Sequence, residues 1–527
     1  MNIELSTLPD DTVTLKEIIA AQQIEYQKTQ EQINYLEEMV RLLKNELFGR
    51  KSEVRRDPDA NQLQLFQPGQ APAPEPIEDI VVEPHTRKKR GRKPLPVDLP
   101  RVEVVHDISE EEKHCACGAE RTCFGREVCE KLDYTPAKLR VIRHIRLKYA
   151  CKGCEGVEDD GPTVKIAPPV VQLIPKSIAT EGLLAHVVVS KFADGLPLYR
   201  QQKIFGRHGV DLSRATLAGW VIQASGKCLP ILELLTNEIR GGPLINIDES
   251  TIQVLKEPGR SNTSKSYMWV FCGGSPKRRA VVYQYHPTRS GQVPLDFIGD
   301  YHGYIQSDAY VGYEQVARKK GVVHVGCFVH ARRKFMDVIK TRKKNRGGKA
   351  PSRGLADEAI DFIGNLYKIE KYANREQLSC DEVYQLRQRE AKPILEKFKL
   401  WLDVNQPLTP PKGLLGKAIQ YALNHWEELI AYIEDGRLRP DNNMAENAIR
   451  PFVVGRKNWL FAGAPKGAEA SATFFTLIET AKANGHEPYA YLRHIFERMP
   501  LTKTAEDYEA LLPWNLDTGT IAAKYRQ

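Results

Sequence analysis

Leu244-Ile-Asn-Ile-Asp248-Glu-Ser-Thr-Ile-Gln-Val254 reads as a buried strand with a carboxylate in its middle, which few folds can accommodate. A buried charge is costly unless something pairs with it. Tyr267-Met-Trp-Val-Phe271 and Arg279-Ala-Val-Val-Tyr283 read as the next two strands, and Gln292 to Gly299 as a short helix. Gly303-Tyr-Ile-Gln-Ser-Asp308 is a fourth strand that ends in another acid, and Val322-Val-His-Val325 is a fifth. Successive side chains on a strand point to opposite faces, so Asp248 and Glu249 point apart.

Strand, strand, strand, helix, strand, helix, strand is the order of a ribonuclease-H-like domain. In that fold the first and fourth strands lie side by side, which sets Asp248 and Asp308 at adjacent positions. Two carboxylates there repel unless a cation sits between them. Mg²⁺ takes a few carboxylates plus water and substrate phosphates. A pair of Mg²⁺ or Mn²⁺ ions stabilises both the attacking and the leaving oxygen of an in-line phosphoryl displacement. That chemistry needs a third acid. Arg439-Pro-Asp441-Asn442-Asn-Met-Ala-Glu446-Asn-Ala-Ile-Arg450-Pro451 offers Glu446 inside a short helix, with Asp441 placed to cap it. Asp441 is the rival third acid. Downstream, Arg456-Lys457-Asn458-Trp459 sets bases beside an aromatic, which suits a DNA strand near the metals. Arg450, Arg456, Lys457 and Trp459 are therefore candidate DNA contacts.

A chain of 527 residues is too long for one core, and about 100–200 residues per domain suggests three or four domains. Residues 1–53 carry a seam at Leu15, Ile19, Gln22, Tyr26, Thr29, Ile33, Leu36, Val40, Leu43 and Leu47, which predicts a coiled-coil helix. Such a seam needs a partner helix. A homodimer or higher oligomer is the simplest source, and the chain's own body is the alternative. Residues 54–100 read as a flexible, proline-rich linker ending in Arg87-Lys-Lys-Arg90-Gly-Arg92-Lys93. Arg90 and Arg92 have the pattern of an AT-hook that inserts into the minor groove, against the plainer reading of a solvated loop.

Six of the ten cysteines fall between positions 115 and 154, which points to metal rather than disulfides. Cys115, Cys117, Cys151 and Cys154, in a predicted zinc-binding domain over 101–165, flank a stretch expected to be β-rich, Arg140–Tyr149. Four thiolates close a structural zinc site, with His114 as the alternative to Cys115. Residues 166–240 are expected to be helical. Leu196–Phe205 and Val210–Val221 read as a helix-turn-helix, with Ser213 as N-cap, Leu217, Trp220 and Val221 buried, Arg214, Thr216 and Gln223 outward, and Arg200, Lys203, Arg207 and Arg214 crowding the pair, or else as an ordinary helical hairpin. Residues 241–335 and 436–480 would form the catalytic domain, 336–435 a helical insertion, and 481–527 a C-terminal helical region.

The net charge of +9 is concentrated in clusters, as on phosphate-binding surfaces. There is no apolar run long enough to span a membrane and no signal peptide, so a cytoplasmic, nucleoid-associated protein is expected. Cys327 and His330 lack the two further ligands of a structural metal site, and a structural role near the acids is expected.

The chain resembles transposases of the insertion sequence 66 family over nearly its whole length. The resemblance rests on Phe48-Gly49-Arg50-Lys51-Ser52-Glu53, Gly91-Arg92-Lys93-Pro94, Pro197-Leu198-Tyr199-Arg200-Gln201, Asp248-Glu249-Ser250, Ser307-Asp308-Ala309-Tyr310, His330-Ala331-Arg332-Arg333-Lys334-Phe335, Asp441-Asn442-Asn443 and Gly455-Arg456-Lys457-Asn458-Trp459, in that order. Two departures are Cys327-Phe-Val-His330 in place of the usual Cys-Trp-Ala-His, and the compact Cys115-x-Cys117 knuckle. The resemblance implies a bacterial DDE-type enzyme with Asp248, Asp308 and Glu446 as catalytic acids. It would bind the terminal inverted repeats of its element, cleave double-stranded DNA and join it to a target, with small accessory proteins as possible partners. The alternatives are a non-catalytic DNA-binding regulator, a decayed element, or a non-transposing nuclease of the same fold.

Overall fold

The computed structural model describes residues 19–23, 25–26, 29, 139–145, 148–150, 164–166, 169–308, 310–341 and 353–525. Cys115, Cys117, Cys151, Cys154, His114, Arg90 and Arg92 lie outside them. The chain divides into two compact units, one of Met1–Lys51 with Ile145–Gln527 and one of Ser52–His144. In the second, residues 139–144 carry no regular structure, so the β-rich stretch expected from Arg140 is shorter than predicted. In the first unit a strand appears at Lys148–Ala150 (β1), antiparallel to Val164–Ile166 (β2). The described seam residues Ile19 and Tyr26 are exposed.

The central sheet is built from Leu244–Val254 (β3), Lys265–Ser275 (β4), Arg278–His286 (β5), Gly303–Gln306 (β6) and Val322–Val325 (β7). Their order is β5-β4-β3-β6-β7, the first three antiparallel, with β6 and β7 running parallel to β3. The first and fourth strands are neighbours, as the strand order predicts. A two-residue strand, Phe461–Ala462 (β8), pairs with Gln253–Val254. On that side of β3, then, β6 covers Leu244–Asn246 and β8 covers the far end, and no described strand pairs with the stretch between. The β4–β5 hairpin turns on Gly274 at φ +89, where a Cβ would lie 2.1 Å from the carbonyl oxygen of Arg278.

Between residues 181 and 241 four helices lead into the sheet: Glu181–Phe192 (α1), Leu198–Arg207 (α2), Arg214–Lys227 (α3) and Leu229–Gly241 (α4). The Ser213 side chain caps α3 by accepting from Thr216 N, as expected of an N-cap serine. Leu217, Trp220 and Val221 are buried, while Arg200, Lys203, Arg207, Arg214, Thr216 and Gln223 are exposed. Within the sheet, Gln292–Ile298 (α5) links β5 to β6. After it come Pro465–Ala483 (α11 in chain order, after the helices below) and Pro488–Arg498 (α12). Helix α11 lies along β5, an edge strand whose outer N–H groups would otherwise be open. Thr480 Oγ1 accepts from Val281 N at 3.0 Å, and Thr476 Oγ1 accepts from Tyr283 N at 2.8 Å. Leu184, Trp220, Ile231, Ile247, Phe271, Phe475 and Phe496 belong to one hydrophobic core. The expected boundaries at 240 and 480 therefore do not separate cores. These helices bury their apolar faces against the sheet and each other.

A second core forms the helical insertion, from Phe328–Lys340 (α6), Leu355–Arg375 (α7), Lys392–Asn405 (α8) and Leu414–Asn424 (α9). Phe328 and Phe335 of α6 are already part of it, so it starts earlier than residue 336. Arg387 is 1% exposed within this core. Its guanidinium meets both Glu370 carboxylate oxygens at 2.8 Å and donates to the carbonyls of Tyr432, Asp435 and Leu438. The rigid guanidinium fork thus anchors the return of the chain toward the sheet. No helix among the described residues is long and apolar enough to cross a membrane.

Replacing Arg387 strands a buried carboxylate and three carbonyls. Arg387→Ala is expected to destabilise the insertion by about 3–5 kcal/mol, and Arg387→Lys to recover little of it. Chemical denaturation followed by Trp401 and Trp426 fluorescence checks this; an unchanged midpoint contradicts it.

Candidate active site

Asp248 lies on β3, in the stretch between the segments covered by β6 and β8. Asp308 follows two residues after the end of β6, where its Oδ1 accepts from Tyr310 N at 3.0 Å. The expected fourth strand thus stops at Gln306, before the acid. Glu446 occupies the first turn of Asn443–Trp459 (α10). That helix is longer than predicted and continues through Pro451. Asp441 Oδ1 accepts from Asn443 N at 3.2 Å, in keeping with its capping role, while Asn442 is the N-cap residue itself.

Asp248 responds to the charges around it. The Asp248 carboxyl is pushed up to about 8 by burial first, and by the adjacent Glu249, Asp308 and Glu446 carboxylates, against an opposing hydrogen bond from Glu249 N. Oxygen-only donors from three elements are the chemistry that suits a hard ion such as Mg²⁺. The residue types fit that role, although among the described residues the three carboxylates do not all lie within 4.8 Å of one another.

A buried amide network sets the position of Glu446. Asn246 Nδ2 donates to Gln306 Oε1 and to Asn442 Oδ1, both at 3.0 Å. Asn442 Nδ2 donates to Ile247 O at 2.8 Å, and Gln306 Nε2 to Arg439 O at 2.7 Å. These side chains are at most 2% exposed. At the other end of α10, the Arg456 guanidinium reaches Ser250 Oγ, Thr251 Oγ1 and Thr251 O. Helix α10 is therefore tied at two points to the stretch of β3 that lacks a strand neighbour there. Arg456, expected as a DNA contact, is turned onto the sheet. Trp459 is partly buried, with its ring 5.8 Å from Phe452 and Lys191 Nζ 5.0 Å above it. Arg450 and Lys457 are exposed.

Sequence reasoning missed a second charged cluster. Glu249, on the opposite face from Asp248, is buried and binds the Arg289 guanidinium. Its Oε2 also accepts from Tyr313 OH at 2.5 Å. Burial raises the Glu249 carboxyl above its ordinary value despite these two partners. Arg289 stacks 3.6 Å over the Tyr310 ring and lies 4.0 Å from Asp308 Oδ2. Arg289 sits far from both acids in the chain, and no local pattern marks it. Cys327 and His330 lie beside Glu446, with His330 Nδ1 3.9 Å from Glu446 Oε1.

Residues 176–470 match the family model described as the Transposase IS66 family, and residues 476–514 match the IS66 C-terminal element. Residues 112–155 match the zinc-finger binding domain of transposase IS66, and residues 35–104 match a model described as Transposase C of IS166 homeodomain. The chain is 33% identical over 498 residues to the uncharacterized protein y4jD of Sinorhizobium fredii (strain NBRC 101917 / NGR234), covering 90% of this chain and 93% of that one. It is 30% identical over 501 residues to the uncharacterized protein y4hP of the same strain, covering 91% and 88%. The zinc-finger match supports a structural zinc.

Two outcomes follow from the site. First, a carboxyl whose folded pKa is raised gives stability that is present below its unfolded pKa and lost as pH rises. For Asp248 that loss runs from about 4 toward about 8. Asp248→Asn removes the penalty, so without added divalent ions at pH 7 it is expected to melt a few degrees higher than the parent. A variant melting no higher contradicts the strain assigned to Asp248. Second, Cys151→Ser is expected to lose one zinc equivalent by elemental analysis, and retention of all zinc excludes Cys151 as a ligand.

Proposed function

Because the chain belongs to the IS66 transposase family, we propose that it is a DDE-type transposase that cuts and joins DNA with Asp248, Asp308 and Glu446. The carrying observation is that β3 and β6 run parallel with Asn246 opposite Gln306, two residues before Asp248 and Asp308, and that Glu446 is near enough for its charge to add to burial, Glu249 and Asp308 in raising the Asp248 pKa. A strand order of β5-β4-β3-β6-β7 with the first three antiparallel supports a ribonuclease-H-like reading of the core. Divalent cations held by the three carboxylates, Mg²⁺ or Mn²⁺, would activate the attacking water and stabilise the departing 3′ oxygen.

The chain's own residues account for the remainder. Asp248 offers its carboxylate from β3, and the Asn246–Gln306–Asn442 network fixes the start of the helix that carries Glu446. Arg289 pairs with Glu249 and lies 4.0 Å from Asp308, which offsets part of the negative charge at the site. Asn447, Arg450, Val454 and Lys457 form an exposed stripe along α10 that starts beside Glu446, a track for the DNA strand entering the site. Arg200, Lys203, Arg207 and Arg214 crowd the exposed side of the α2–α3 pair, which suits duplex phosphates away from the reacting bond. Arg90 and Arg92 of the linker would add minor-groove contacts. Hydrolysis leaves a 3′-OH that becomes the nucleophile at the target phosphate, so no covalent protein–DNA intermediate is required. The exposed seam residues Ile19 and Tyr26 suit a second copy of the chain as partner, bringing two DNA ends together.

The test is strand cleavage of a duplex bearing the element's ends, with Mg²⁺ present. Wild-type protein is expected to cut and to form strand-transfer product. Asp248→Asn is expected to cut undetectably while retaining DNA affinity. Cutting by that variant refutes the assigned site, and cleavage without strand transfer favours a plain nuclease.

A further inference from the structure

Cys327, His330 and Glu446 bring three ligating atoms within 4.8 Å of one another. Cys327 precedes α6 as its N-cap residue, His330 lies in the first turn of α6, and Glu446 lies in the first turn of α10. The cluster is therefore built on two regular elements. Two of its atoms, His330 Nδ1 and Glu446 Oε1, are buried and make no hydrogen bond. Buried polar atoms without partners are rare in native proteins and call for an explanation. Cys327 is 2% exposed, and its Sγ accepts from Asn442 N at 3.3 Å, which orients the sulfur.

The donor chemistry differs from that of the three acids. One sulfur, one imidazole nitrogen and one carboxylate oxygen suit a borderline-soft ion of the zinc class better than Mg²⁺, which prefers oxygen alone. An ion central to a triangle of this size lies no more than roughly 2.8 Å from each donor. Side-chain movements of about 0.5–0.8 Å then reach Zn²⁺ distances of about 2.0–2.3 Å. Three protein ligands leave the fourth tetrahedral position to water or a phosphate oxygen.

We propose that Cys327, His330 and Glu446 bind a zinc-class divalent cation, and that its occupation withdraws Glu446 from the acids that serve DNA cleavage. Binding displaces the Cys327 thiol proton to solvent and uses the neutral imidazole of His330. The site is distinct from the cysteine cluster at 115–154, with which it shares no residue. Its second consequence rests on the catalytic reading of Glu446, whereas the binding itself does not.

Full-length protein retaining its structural zinc is titrated with Co²⁺ and followed by absorption. Uptake of one further ion is expected, with a sulfur-to-cobalt band in the near ultraviolet and tetrahedral bands in the visible. Both are expected to vanish in Cys327→Ser and in His330→Ala, and to persist in Asp248→Asn. Absence of these bands, or equal bands in Cys327→Ser, overturns the site. In the Mg²⁺-supported cutting assay, added Zn²⁺ is expected to inhibit the parent chain. Cys327→Ser, measured against its own zinc-free rate, is expected to need about tenfold more or beyond. Equal inhibition of both overturns the competition for Glu446. Protein that takes up Co²⁺ at these residues yet never cuts DNA supports the cation site and overturns the catalytic reading instead.

Discussion

The side chain of Asn442 is the joint on which the arrangement depends. Its oxygen accepts from Asn246, its nitrogen donates to the backbone of Ile247, and its own backbone N–H points at the sulfur of Cys327. Those three partners belong to β3 and to the start of α6, while Asn442 itself starts the helix that carries Glu446. The long insertion leaves the sheet after β7 and must return to one defined place. Hydrogen bonds in a buried, low-dielectric setting hold geometry tightly, because leaving any member unpaired costs the full desolvation penalty. Arg387 extends the same logic outward by gripping the carbonyls of Tyr432, Asp435 and Leu438 just upstream. The returning chain is thus fixed at two successive points before it presents its acid.

What this scaffold holds in place is electrostatically unfavourable on its own. Burial penalises the Asp248 carboxylate, and the charges of Glu249, Asp308 and Glu446 add to that penalty. Glu249 is given Arg289 and Tyr313 at close range, whereas Asp308 meets the same guanidinium only at 4.0 Å. Cost in stability of this kind is characteristic of sites where function sets the requirement.

Much of the sheet was legible in the chain. The strand around Asp248 runs from Leu244 to Val254 as predicted, because apolar residues flanking a lone acid leave few alternatives. Ser213 capped its helix, and Leu217, Trp220 and Val221 were buried. Other features were hidden because they depend on contacts between distant segments. Nothing near Arg289 reveals that it pairs with Glu249, and nothing near Arg456 shows that its guanidinium turns onto Thr251 rather than outward. The two-residue strand at Phe461 is too short for any periodicity to reveal. The expected division at residue 240 failed because α1–α4 spend their apolar faces on the same core as the sheet, which local patterning cannot distinguish from a separate bundle.

The central claim is that Asp248, Asp308 and Glu446 act together on divalent cations. Diffraction from crystals of the protein with DNA ends and Mn²⁺, recorded for anomalous scattering, addresses it most directly. The account predicts manganese density between Asp248 and Asp308, with Glu446 coordinating an ion there. Manganese bound elsewhere, with these three carboxylates unligated, would contradict it.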